Sequence, residues 1–161
     1  METLYKSPRL HLARAGYIVF GYYTQVSDME SLAAAESAFK KVAREHGRLV
    51  TVSYLSGRTV TQPVPDDVKV KATAILREVE GELVTNVMVV AGEGIGVTIL
   101  RAFMTAFFIF SKLKRPQKCV GDLASALAYI RTLDPKAGDG VTAGAVEKHF
   151  GLHPAAAAHV A

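Results

Sequence analysis

The run LVTNVMVVA, residues 83–91, is apolar at nearly every position and rich in β-branched residues. A strand of that kind is buried on both faces, so the sheet that holds it needs helices on either side. This requirement sets the fold class, and the rest of the chain follows it.

Upstream, Leu10 and Leu12 alternate with polar neighbours, and a turn at Arg14-Ala15-Gly16 leads into the strand-forming YIVF of residues 17–20. Ser27 or Asp28 then caps a helix, with Leu32, Ala35, Phe39, Val42 and Ala43 at helical spacing and Gly47 as its stop. In RLVTVSYLSG, Val50, Val52 and Tyr54 alternate with Thr51 and Ser53, giving another strand. A second helix starts near Asp66, carries Val68, Ala72, Ile75, Leu76 and Val79, and ends at Gly81. After the buried strand comes a third helix over residues 95–113, then the short strand PQKCV and a helix capped by Asp122.

The order is strand, strand, helix, then strand and helix three times. It predicts an α/β fold with a mixed, mainly parallel sheet of about five strands and about four helices. Residues 1–134 read as one domain, which is enough chain for a single core. Residues 135–161 read as a C-terminal tail with a frayed end, in which TAGAVEKHFGL is a candidate for one short helix.

Composition narrows the function classes. The net charge of +4 comes from basic residues scattered among acids, and no nucleic-acid motif is visible, so no nucleic-acid partner is expected. The single cysteine, Cys119, excludes an internal disulfide, and QKCV reads as a small strand residue and not a reactive thiol. The first residues have no continuous apolar core of the secretory kind, and the expected location is cytoplasmic.

Two segments carry a family resemblance. One is RLVTVSYLSG followed by DDVKVKATAILREVEGELVTNVMVV, and the other is KCVGDLASALAYI. With the element order over residues 8–133, they make the chain resemble the STAS superfamily, most closely the SpoIIAA-like group. The resemblance implies a non-enzymatic regulatory module that associates with a protein partner, either itself or a kinase-like regulator. For the SpoIIAA-like group it also implies an apolar small molecule or lipid as ligand. Phosphorylated STAS members carry a Ser or Thr after the strand that LVTVSYL matches. Ser56 and Gly57 stand there, with Thr59 and Thr61 close by, as a candidate phospho-acceptor or partner loop. No Asp precedes Ser56, and TQPVPDD sets the helix about ten residues downstream. An ordinary Ser-Gly turn accounts for the same residues.

The segment AGEGIGVTILRAFMTAFFIF, residues 91–110, is more apolar than a surface helix needs. Its glycines are spaced G-x-G-x-G, with Val97 where a dinucleotide loop has Gly or Ala, and no Lys-Ser or Lys-Thr pair follows for a P-loop. Amides at the helix start, around Gly94, Ile95 and Gly96, are a candidate anion contact. A span needs roughly 20 apolar residues. The segment falls short and carries Arg101 in its middle, so no transmembrane span is expected. One stripe must pack on the sheet. The surplus around Leu100, Phe103, Met104, Phe107, Phe108 and Phe110 lines an apolar pocket, forms an interface, touches a membrane surface peripherally, or lies under the tail.

No catalytic or metal constellation is visible. His149 and His153 are separated by Gly151 and followed by Pro154, so one helix does not present both. No nucleophile elbow, acid pair or cofactor motif stands out, which leaves an unrecognised enzyme or a nucleotide binder as minor alternatives.

Overall fold

The computed structural model describes residues 1–55 and 64–152, without the side chains of Phe103, Ala106, Phe107 and Phe110. Six strands form one sheet in sequential order: β1 (Glu2–Lys6), β2 (Leu10–Ala15), β3 (Ile18–Tyr23), β4 (Leu49–Leu55), β5 (Leu83–Val90) and β6 (Gln117–Val120). The first three run antiparallel, and β3 to β6 are parallel. The crossovers carry α1 (Met29–His46), α2 (Asp66–Glu78) and α3 (Ile95–Ser111), and α4 (Leu123–Leu133) and α5 (Ala143–Phe150) follow β6. The α/β class and the mixed sheet agree with the sequence. The strand beyond the expected five is β1, an edge strand in which Leu4 and Tyr5 are the partly buried core-packing residues.

The helix limits come from local chemistry. The Asp28 carboxylate accepts from the Ser31 amide at 2.8 Å, and Gly47 closes α1 in the left-handed region at φ 64°. Asp122 caps α4 through the Ser125 amide at 2.7 Å. Thr142 caps α5 through Ala145 at 3.2 Å.

Period-two alternation divides the sheet between two cores. On one face Leu10, Leu12, Val19, Leu49 and Leu83 meet Leu32, Phe39 and Val42 of α1 and Val68 and Ile75 of α2. On the other, Ile18, Phe20, Val50, Val52, Val87 and Val89 meet α4, Val146 of α5, and Ala137 in the turn between those helices. β5 therefore lies between helical layers, as its apolar run requires. Among the described residues no helix is long and apolar enough to cross a membrane.

Residues 135–152 join the core on the face of α4, and α3 lies on the face of α1 and α2. The described part of the tail therefore does not cover α3. A turn through Gly138 (φ 68°) and Gly140 (φ 74°) brings the chain back over β3.

Candidate functional site

On the face of α1, α2 and α3 the core is incomplete. The sheet residues facing that side begin large, with Leu49 and Leu83, and then become Thr51 opposite Asn86 and Ser53 opposite Met88. The helices opposite supply Ala35, Ala72 and Thr73. Small side chains on both surfaces leave a cavity of about 590 Å³. Its other walls are Leu32, Phe39, Leu55, Val68, Ile75 and Leu76, and α3 closes it with Leu100, Met104 and Phe108 at four-residue spacing. The volume falls in the range of about 300–1,000 Å³ found for small-molecule sites, and such sites are mostly apolar with a few placed polar groups.

A directed chain of polar groups runs from Thr51, buried in the sheet, to Asn86, Gln117 and Ser111 on the cavity floor. Thr51 Oγ1 donates to Asn86 Oδ1 at 2.8 Å, and Asn86 Nδ2 donates to Gln117 Oε1 at 3.3 Å. Gln117 Nε2 donates to Ser111 Oγ at 2.9 Å, and Ser111 Oγ donates to the Phe108 carbonyl at 2.8 Å. Each bond polarises the next, and the chain orients both amides. Higher in the cavity the Tyr23 hydroxyl bonds with Ser53, and burial pushes that phenol above its ordinary range.

The two ends of α3 are held differently. At the C-terminal end Phe108 and Ser111 are buried, and Arg77 Nη2 donates to the Ser111 carbonyl at 3.0 Å. At the N-terminal end Ile95 is 81% exposed and Ile99 64%, and the main tether there is the Arg101 side chain. The chain enters through Gly92 (φ 113°) and Gly94 (φ 103°), backbone conformations that suit glycine. α3 thus has an inner stripe on the cavity and an outer stripe, with Ile109 at 74% exposure, in solvent.

Of the residues expected to form an apolar pocket, Leu100, Met104 and Phe108 line the cavity; the side chains of Phe103, Phe107 and Phe110 lie outside the description. Ser56, Gly57, Thr59 and Thr61 also lie outside the described residues. Among the described residues no side chain caps the start of α3 at Gly94, Ile95 and Gly96, and Glu93 stands next to it. Cys119 is half-buried in β6, where burial raises its thiol despite the opposing charge of Arg101. No group of three His, Cys, Asp or Glu side chains able to hold a metal occurs among the described residues.

Sequence reasoning missed Asn86, Gln117 and Ser111. One signal was available: Asn86 is the lone amide inside a buried strand that is apolar but for Thr85 beside it, and a buried amide needs partners. Comparison with protein-family models, curated proteins and solved structures gave no match to this chain.

Proposed function

We propose that this chain is a small binding protein for an apolar molecule, held between the sheet and α1, α2 and α3. The cavity behind α3 carries this reading. Protein interiors pack to crystal-like density and leave few voids larger than a water molecule. The cavity is partly open, and water filling it leaves its apolar walls hydrated, a loss of about 25 cal/mol for each Å² that a ligand could cover. Its walls are mostly apolar, so water is a poor filling. An apolar ligand fits better.

α3 serves as wall and lid. It is anchored at Phe108 and Ser111 and latched at Arg101, and the glycines at its entry absorb the change in direction on opening. Native mass spectrometry of protein purified from its own host tests the reading. The expected result is a one-to-one apolar adduct that leaves on unfolding. A chain that carries no adduct and takes up no neutral apolar probe contradicts it.

The exposed stripe of Ile95, Ile99 and Ile109 supports a second reading, protein association by a STAS-like, SpoIIAA-like regulatory module. This module is non-enzymatic and works in the cytoplasm, with a second copy or a kinase-like regulator as partner. Light scattering and pull-down with Ile99→Asp test it; an unchanged mass and unchanged capture count against it.

A further inference from the structure

We propose that the cavity selects an uncharged amphiphile: an apolar body with one neutral hydrogen-bonding group, an alcohol or carbonyl, seated at Asn86. The proposal rests on the reading that the cavity holds an apolar molecule, and it adds the chemistry of the polar end.

Asn86 is 5% exposed and lies on the cavity floor. A side-chain amide offers two N–H donors and two acceptor lone pairs. Among the described residues, Thr51 uses one lone pair and Gln117 one hydrogen, which leaves Asn86 one donor and one acceptor. A hydroxyl satisfies both and a carbonyl accepts from the first. The surrounding groups on the floor are neutral amides and hydroxyls, so the site has hydrogen-bonding capacity without charge.

A charged head has no counterion there, and burying an unpaired ion is far more costly than burying a paired dipole. No Asp or Glu is among the described residues lining the cavity, so an ammonium finds no partner. The one cation among them is Lys69, part-exposed on the first turn of α2 and already paired with Asp66 at 2.8 Å. The Asp66 carboxylate thus already occupies the ammonium that an anionic head would need. A carboxylate meeting Lys69 in solvent gains little.

The test is displacement of a neutral naphthylamine probe, at neutral pH, by a long-chain alcohol and by the carboxylate and alkylammonium of equal chain length. The alcohol is expected to displace at about tenfold lower concentration than either ion, one decade being ~1.4 kcal/mol. Asn86→Leu should weaken the alcohol about tenfold and leave the affinity of the probe within about twofold, the loss of one to two hydrogen bonds. The alcohol-to-ion ratio on the unaltered chain needs no variant, so the proposal stays testable if Asn86→Leu does not fold. An ion that binds as tightly as the alcohol overturns the proposal but leaves the apolar cavity standing. So does carboxylate binding abolished by Lys69→Met, or an alcohol indifferent to Asn86→Leu. If neither the probe nor any amphiphile binds, both the proposal and the reading beneath it fail.

Discussion

Arg101 holds the carbonyl of Val90 with two hydrogen bonds, from Nε at 3.0 Å and from Nη2 at 2.7 Å. Nη2 also reaches the Gly92 carbonyl at 2.8 Å. The only charged residue of α3 is thus turned back onto the end of β5, where it satisfies carbonyls at the point where the strand stops. Gly121 makes room for it, since a Cβ there would lie 3.0 Å from Nη2. Arg101→Met keeps most of the packing and removes the latch. Hydrogen bonds from a charged donor contribute about 1.5–3 kcal/mol, so opening of α3 should become roughly 10- to 100-fold easier. Hydrogen exchange over residues 95–107 and the dissociation rate of a bound probe should both rise. Unchanged exchange would mean that Arg101 is not the latch.

A second device sits where α5 meets the antiparallel edge. Thr3 Oγ1 lies 3.4 Å from His11 Nε2 and 3.2 Å from His149 Nε2, and the Phe150 ring meets His11 edge-on at 4.8 Å. Burial, then His149, then Lys6 hold His11 below its ordinary value of 6.5. Tyr22 is its cross-strand neighbour on β3. A lowered imidazole favours the neutral form in the folded state. Its contribution is therefore present above pH 6.5 and lost as pH falls through the lowered value. Acidification should loosen α5, measured by hydrogen exchange at residues 143–150. His11→Gln should flatten that dependence, and an identical acid profile in the variant would contradict the assignment.

The alkaline limb has a different origin. The Tyr17 hydroxyl donates to Asp134 Oδ2 at 2.7 Å, and Arg48 Nη2 lies 3.1 Å from the same oxygen. Burial, followed by the bond to Asp134, pushes Tyr17 from 10.0 up to about 12. The interaction is fully present below pH 10 and lost as pH rises through about 12. Tyr17→Phe should cost about 1 kcal/mol at neutral pH, the net worth of one hydrogen bond. The gap between the two proteins should close in thermal melts between about pH 10 and 12. A gap independent of pH would assign the loss to packing alone.

Two left-handed glycines separate backbone strain from packing. Gly16 (φ 58°) has open space around a built Cβ, and at Gly138 (φ 68°) the same atom would lie 2.9 Å from Ile18 Cδ1. Gly16→Ala should cost about 1 kcal/mol for the conformation alone. Gly138→Ala should cost about 1–3 kcal/mol more, because Ile18 is fully buried and has nowhere to go. Equal losses in denaturant unfolding would show that the turn yields.

Those features also mark how far the sequence could be read. The limits of α1 were legible because Asp28 and Gly47 act on their own neighbours. The double burial of β5 was legible because LVTNVMVV needs no distant partner to declare itself. β1 was hidden, since ETLYK has only Leu4 and Tyr5 packing on the core and gains its order from β2. The surplus on α3 was visible, but which stripe faces inward depends on tertiary packing. The cavity itself was not legible. It arises where Ser53, Ala72 and Asn86, far apart in the chain, meet with too little volume to fill the space.

Filling that space is the most direct test of the account. Ala72→Phe places a ring from α2 into the cavity and changes nothing on the outer stripe of α3. Titration with a neutral apolar probe should give one site per chain in the unaltered protein. The variant, folded and with an equal or higher melting midpoint, should bind at least about tenfold more weakly. Undiminished binding by folded Ala72→Phe, or no binding by the unaltered chain, would contradict the claim that this cavity is the ligand site.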